Sequence, residues 1–284
     1  MKVSFFPGCS LEGTAREYGE SIDAVCYFLG IKLEELPGWT CCGASAAHCI
    51  NEFLSVSLPA KNLLIAENLK HDLVTPCAAC FSRLKNAEKA LIKESQEQYT
   101  ATPFRGEIKI LHLLEFFCRK NVIARIKDQI KRPLSNLKVA SYYGCLLVRP
   151  PRITDAENWE DPQTLDNLIS LLGGETVSWP YKTECCGGSL LLTNLDIARR
   201  LIGRILDMAK EAEADCIVTA CPLCQSNLDT RQEEIGKAKG ITYSLPVFYF
   251  TELLGLAFGL KDTKKWFRRH FVDPRRLLKT KNLI

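Results

Sequence analysis

Ten of the chain's cysteines are laid out as two copies of one pattern, and no other feature restricts the fold as tightly. The first copy is Cys9, a gap of 31 residues, the vicinal pair Cys41-Cys42, a gap of 34, and Cys77-Ala-Ala-Cys80. The second is Cys145, a gap of 39, Cys185-Cys186, again a gap of 34, and Cys221-Pro-Leu-Cys224. Glycine precedes each first cysteine (Gly8, Gly144) and follows each vicinal pair (Gly43, Gly187). From Cys9 to Cys145 the offset is 136 residues, whereas from Cys41 to Cys185 and from Cys77 to Cys221 it is 144, so one eight-residue insertion separates the copies. It must lie between Cys145 and Cys185, where Arg149-Pro150-Pro151-Arg152 and the residues up to Trp159 read as a polar, proline-containing loop. The chain is an internal duplication.

Hydrophobic periodicity places the cysteines on elements. Residues 2–6 and 138–143 read as short strands, each ending at a Gly-Cys turn. Tyr18, Ile22, Val25, Cys26 and Leu29 keep helical spacing up to Gly30, and Leu165, Leu168, Ile169 and Leu172 do so up to Gly173. Strand signals then lead to each vicinal pair, followed by helical stretches at 53–69 and 195–212 and apolar strands at 72–75 and 216–219. Each of these strands runs into its CxxC, which opens another helix; Pro222 falls at the first helical position, where its missing N–H is harmless. The alternation predicts an α/β chain of two duplicated Rossmann-like halves with parallel sheets, at 1–135 and 136–260, and a basic tail at 261–284. Groups at the carboxyl ends of parallel strands converge on one edge, so five sulfurs per half are expected to meet there. Helix N-termini at that edge favour thiolate.

With 284 residues, 46% of them hydrophobic, the chain can bury a sizeable core, which excludes collagenous and disordered classes. The opening Met1-Lys2-Val3-Ser4-Phe5-Phe6-Pro7-Gly8 lacks the continuous apolar run of a secretory signal, and a cytoplasmic location is expected. The apolar stretch near 245–260 is broken by Thr251 and Glu252 and falls short of the roughly 20 residues that span a bilayer, so no transmembrane segment is expected. In a reducing compartment clustered cysteines serve as metal ligands or redox groups. Three chemistries compete. A zinc site needs four tetrahedral ligands, but adjacent cysteines do not readily share one ion and a fifth cysteine is left over. Dithiol chemistry at Cys221-Pro-Leu-Cys224 leaves the other eight motif cysteines unexplained. An iron–sulfur cluster can use adjacent cysteines on different irons, although five thiolates for four irons require an unusual arrangement.

The doubled pattern of Cys, Cys-Cys-Gly and Cys-x-x-Cys, covering Cys9 to Cys224, resembles the cysteine-rich CCG domain of the heterodisulfide reductase B subunit. The ending Trp266-Phe267-Arg268-Arg269-His270-Phe271-Val272-Asp273-Pro274 is similar to that subunit's C-terminal segment. The resemblance implies two noncubane 4Fe-4S clusters, one held by Cys9, Cys41, Cys42, Cys77 and Cys80, the other by Cys145, Cys185, Cys186, Cys221 and Cys224. It implies reductive cleavage of a disulfide, of the mixed coenzyme M–coenzyme B type or related, with one electron and one substrate sulfur assigned to each cluster. The alternative is an electron-transfer subunit of a larger oxidoreductase that has no disulfide substrate of its own.

Other residues carry less. Cys26, Cys118 and Cys216 lie in apolar surroundings and read as small buried hydrophobes. Cys49 and His48 follow the first Cys-Cys-Gly closely; a packed helix start is the simpler reading, with His48 as a candidate proton donor to a product thiolate. His71 and His112 have no companion ligands and receive no role. Residues 261–284 hold nine Lys or Arg and two Asp, a net +7 against +4 for the whole chain, so the remainder is slightly acidic. Trp266 and Phe267 among those cations imitate an aromatic-basic nucleic-acid patch, but docking to an acidic partner, attraction of an anionic substrate or a solvated tail explains them better, and no nucleic acid is expected. No Gly-x-Gly-x-x-Gly fingerprint follows a strand and no closely spaced ferredoxin-like cysteine run occurs, so neither flavin nor NAD is expected in this chain. Electrons must then come from a partner; the resemblance implies a ferredoxin-like C subunit and a flavoprotein A subunit.

Overall fold

The computed structural model describes residues 1–44, 46–93 and 96–284. Its strands are β1 (Lys2–Phe5), β2 (Lys32–Glu35), β3 (Leu73–Thr75) and β4 (Ile110–His112), then β5 (Lys138–Tyr142), β6 (Glu175–Thr176), β7 (Cys216–Thr219) and β8 (Val247–Tyr249). They form two four-stranded sheets in the orders β2-β1-β3-β4 and β6-β5-β7-β8, and every pairing is parallel. Equivalent strands occupy equivalent places, so the duplication read from the cysteines extends to the whole topology. Predicted and observed bounds differ by one residue at most ends. The last strand of each sheet carried no separate signal, because Ile110–His112 and Val247–Tyr249 pass without a break into the apolar helices Leu113–Phe117 and Phe250–Phe258.

Parallel neighbours need helical crossovers. The first half uses Arg16–Phe28, Glu52–Leu69 and Ala78–Lys93; the second uses Thr164–Leu171, Leu195–Glu211, Pro222–Thr230 and Gln232–Lys239. Asn51 and Asn194 start the two long middle helices in the same way, each side chain accepting an N–H three residues on, from Leu54 and Ile197. From β1 the chain moves outward to β2 and then back past β1 to β3. This reversal opens a crevice at the carboxyl ends of β1 and β3, and its twin lies at the ends of β5 and β7.

One buried apolar cluster runs through both halves. At their boundary Tyr18 stacks on Tyr249, ring centroids 4.0 Å apart and planes 4° from parallel. Ser21 Oγ lies 2.6 Å from Thr251 Oγ1, and Phe117 meets Phe250 edge to face. The inserted loop joins the halves as well. Its Asp155 pairs with Lys85, at 2.9 Å, and with Lys89 of the helix Ala78–Lys93, and Lys89 also donates to the Arg152 carbonyl.

Residues 261–284 depart from expectation, since they fold back onto the body. Trp266, Phe267, Leu278 and Leu283 are buried. Trp266 lies so close to the helix Phe250–Phe258 that a Cβ on Gly255 would come within 2.6 Å of its ring. Lys265 and Arg269 pair with Glu20, and Lys281 pairs with Asp215 at 2.6 Å. The aromatics that imitated a nucleic-acid patch are thus core residues, and part of the basic charge is answered by the body's own acids. Among the described residues no helix is long and apolar enough to cross a membrane.

Candidate metal centre

Each half presents its cysteines from three loops. In the first, β1 is followed by Phe6-Pro7-Gly8 and then Cys9, and β3 is followed by Pro76 and then Cys77, which begins the helix carrying Cys80. Cys41 and Cys42 come from the loop after β2. The second half repeats this with Tyr143-Gly144-Cys145 after β5, Ala220-Cys221 after β7, and Cys185-Cys186 between β6 and the helix Leu195–Glu211. Pro222 occupies the predicted first helical position behind Cys221.

The sulfurs stand in touching pairs. Cys42 and Cys80 are 3.3 Å apart, and Cys186 and Cys224 are 3.7 Å apart. Cys9 meets Cys41 and Cys145 meets Cys185. Each CxxC closes on itself, Cys77 with Cys80 and Cys221 with Cys224. Cys77 and Cys221 interact across the boundary between halves, so the two sets are neighbours. Exposure is graded alike in both. Cys42, Cys77, Cys80, Cys186, Cys221 and Cys224 are buried; Cys9 and Cys41 are exposed, and Cys145 and Cys185 are half-buried.

The backbone leaves room for these sulfurs. Gly8 and Gly144 have φ of +71° and +67°, and a Cβ there would stand 3.0 Å from Cys80 Sγ and 2.8 Å from Cys224 Sγ. Only glycine combines that conformation with so close an approach. Hydrogen bonding to Cys80 and to the backbone beside Ala44 holds the Cys42 thiol down to about 7. Cys185 is held down to about 6 by Cys145 and by the Gly187 N–H, 3.3 Å from its sulfur. Thiolate is the form that binds metal. Among the described residues no group of three or more His, Cys, Asp or Glu is set around a single ion. Five sulfurs per half, spread as linked pairs with glycine clearance beside the last of them, suit a group larger than one ion.

Residues outside the motif support the site. Tyr18 OH donates to the carbonyls of Pro76 (3.4 Å) and Ala220 (3.2 Å), the residues just before Cys77 and Cys221. His112, which sequence reasoning left without a role, is wholly buried beneath the same loops. Its Nδ1 accepts from Leu114 N, so Nε2–H donates to Pro76 O at 3.2 Å, and burial pushes its pKa down to about 4. Its counterpart is Tyr249, at the equivalent strand end. The available signal was positional: each residue ends the fourth strand of its half. In the second half Lys182, ion-paired with Asp166 at 3.2 Å, accepts the N–H groups of Tyr143 and Gly144 on its carbonyl and steadies the Cys145 loop.

The remaining cysteines divide. Cys26 and Cys216 are buried and their thiols pushed far up by desolvation; Cys118 is half-buried and pushed to about 12 by the same cause. Cys49 is exposed in the short helix Ala47–Ile50, where a packed start was expected, and its sulfur lies 3.6 Å from His48 Nε2. His48 is exposed; partial desolvation, and next the Arg83 cation, lower its pKa, so the neutral ring prevails at pH 7.

The family model of the cysteine-rich CCG domain matches the chain twice, at residues 3–85 and 139–229. The 8-methylmenaquinol:fumarate reductase membrane anchor subunit of Wolinella succinogenes is 32% identical over 97% of this chain and 99% of its own length. The B subunit of ferredoxin:CoB-CoM heterodisulfide reductase from Methanosarcina mazei is 30% identical over 91% of this chain and 89% of its own. A crystal structure of a hypothetical protein from Helicobacter pylori shares the fold, with a TM-score of 0.76 and 13% identity over 96% of this chain; the chain spans about half, 52%, of that protein. With both CCG motifs complete and the similarity running nearly end to end, the chain belongs to the cysteine-rich CCG-domain family and is like the B subunit of heterodisulfide reductase.

Proposed function

We propose that the chain carries two noncubane 4Fe-4S clusters and, as the catalytic subunit of a heterodisulfide reductase-type complex in the cytoplasm, reductively cleaves a disulfide. Cys9, Cys41, Cys42, Cys77 and Cys80 hold the first cluster, and Cys145, Cys185, Cys186, Cys221 and Cys224 the second. The observation that supports this reading is the pairing of two equivalent five-sulfur sets that adjoin at Cys77 and Cys221. When bound, the clusters supply the two electrons that convert a disulfide into two thiolates. The chain's own residues do the rest. Tyr18 and His112 fix the inner loops by gripping the Pro76 and Ala220 carbonyls. The buried inner sulfurs keep water from one side, while Cys9, Cys41, Cys145 and Cys185 leave the other side open to substrate. Two protons are then needed, and His48, beside the first Cys-Cys-Gly, is the candidate donor for one of them. Electrons come from a C-like ferredoxin subunit, itself served by an A-like flavoprotein subunit.

Anaerobically purified protein should contain about eight irons per chain and reduce a disulfide with an artificial electron donor. Stoichiometric zinc without iron would overturn the reading. His48→Asn should shift the pH dependence of turnover, and an unchanged profile removes that role.

The name of the Wolinella relative favours a second reading, because it assigns that protein to a fumarate reductase. In that case the chain relays electrons within a larger oxidoreductase. Iron-replete protein that turns over no member of a broad disulfide panel would decide for the relay.

A further inference from the structure

The two sulfur sites share a frame but not a charge. Six residues after the first cysteine of each CxxC, the first half has Arg83 and the second has Asn227. Arg83 lies on the helix Ala78–Lys93, half-buried, and its Nε–H donates to the Ala44 carbonyl at 2.9 Å, two residues beyond Cys42. No carboxylate among the described residues pairs with it; the nearest groups of opposite charge are the Cys42 and Cys49 thiols when ionised. Asn227 is buried at the equivalent place and uses its neutral amide on the Cys186 carbonyl at 3.1 Å and the Cys186 sulfur at 3.6 Å. The second site does have an arginine nearby, Arg149, but its guanidinium lies 3.9 Å from the Glu184 carboxylate, next to Cys185. That carboxylate offsets part of its charge, and Arg204, which lines the cavity beside Cys185, is exposed on the Tyr181 ring and screened by water, whereas Arg83 is half-buried with no carboxylate partner among the described residues. The first half has Thr40 where the second has Glu184, which widens the difference.

We infer that Arg83 makes the first cluster site easier to reduce than the second, so that an arriving electron comes to rest in the first half. The inference rests on the proposed loading of both sites with iron–sulfur clusters. One-electron reduction adds one negative charge to a site. A fixed, partly desolvated cation beside it stabilises the reduced form, and local charge is among the factors that set cluster potentials. A neutral amide donating to a sulfur does the same more weakly, because only a dipole is involved. The two sites are therefore filled in order, although the duplication makes their ligands equivalent.

The test is a dithionite titration of the anaerobically purified protein followed by electron paramagnetic resonance, after iron analysis. A preparation without iron would overturn the cluster reading itself, whatever Arg83 does. In iron-replete protein two separate reduction steps are expected. Arg83→Gln should lower the reduced-to-oxidised ratio of the first step on the order of tenfold at a fixed potential and leave the second in place, while Arg83→Lys retains the original order. If Arg83→Gln moves neither step, or moves both equally, the inference is wrong. Should that variant lose iron, Asn227→Lys decides: a cation in the second half must bring the two steps together, and an unchanged separation overturns the inference.

Discussion

At the scale of single residues, the site depends as much on what is missing from a side chain as on the sulfurs. Gly144 lets the backbone pass within contact of Cys224, and the positive φ there disfavours any L side chain. Gly144→Ala should cost about 1 kcal/mol in backbone strain and also push Cys224 out of place. The expected result is loss of about half the bound iron with the far-UV circular dichroism preserved; full iron would show that the clearance is irrelevant. Gly8→Ala has slightly more room, 3.0 Å against 2.8 Å, and should lose less. All ten motif cysteines were legible in the sequence because their spacing repeats. The positions of Arg83 and Asn227 match by the same offset, but neither belongs to a motif, and what they touch, the Ala44 carbonyl and the Cys186 sulfur, appears only in the fold. Cys49 misled in the other direction: a packed helix start was expected there, yet the helix is one turn long and its cysteine is exposed.

At the scale of elements, two buried histidines held beside the fourth strands titrate in opposite senses. His112 closes β4 and is neutral, its pKa pushed to about 4 by burial. The unfolded chain takes up a proton near 6.5 that the folded one refuses, so stability falls as pH drops from there toward 4. His270, whose partner Glu252 lies in the helix that follows β8, is the opposite case. Burial opposes its charge, but Glu252 at 2.9 Å, with Asp229 and Glu17 near, outweighs that and raises it to about 9. Its contribution is complete below about 6.5 and disappears as pH climbs through about 9. Thermal stability of the intact protein should therefore fall away on both sides of a maximum near pH 6.5, by on the order of 3 kcal/mol on each limb. His270→Gln should flatten the alkaline limb and leave the acid limb in place. These strands escaped sequence reading for a physical reason. Three residues followed directly by an apolar helix are too short a run for period-2 and period-3.6 patterns to be told apart.

At the scale of the whole molecule, the C-terminal segment is part of the fold. Charge counting read residues 261–284 as a tail, because nine cations outweighed the spacing of Trp266, Phe267, Leu278 and Leu283. Burying one large apolar side chain is worth about 1.5–3 kcal/mol, and four of them outweigh the solvation of neighbouring lysines that still reach water. Deleting residues 261–284 should therefore leave a chain that melts well below the intact one or does not fold; an unchanged melting temperature would show the segment to be dispensable. The α/β class, the duplication and the place of the insertion were all readable, since each follows from spacing. The insertion's contact with the other half was not, because Asp155 finds Lys85 and Lys89 only once both sheets exist.

The grading of exposure has a practical side. Oxygen and thiol reagents arrive from solvent, and they meet Cys9 and Cys41 openly, Cys145 and Cys185 only in part, and the six inner cysteines last. Damage in air should thus begin in the first half and move inward, so that an ageing sample passes through a stage in which one half is spoiled while its twin is still whole.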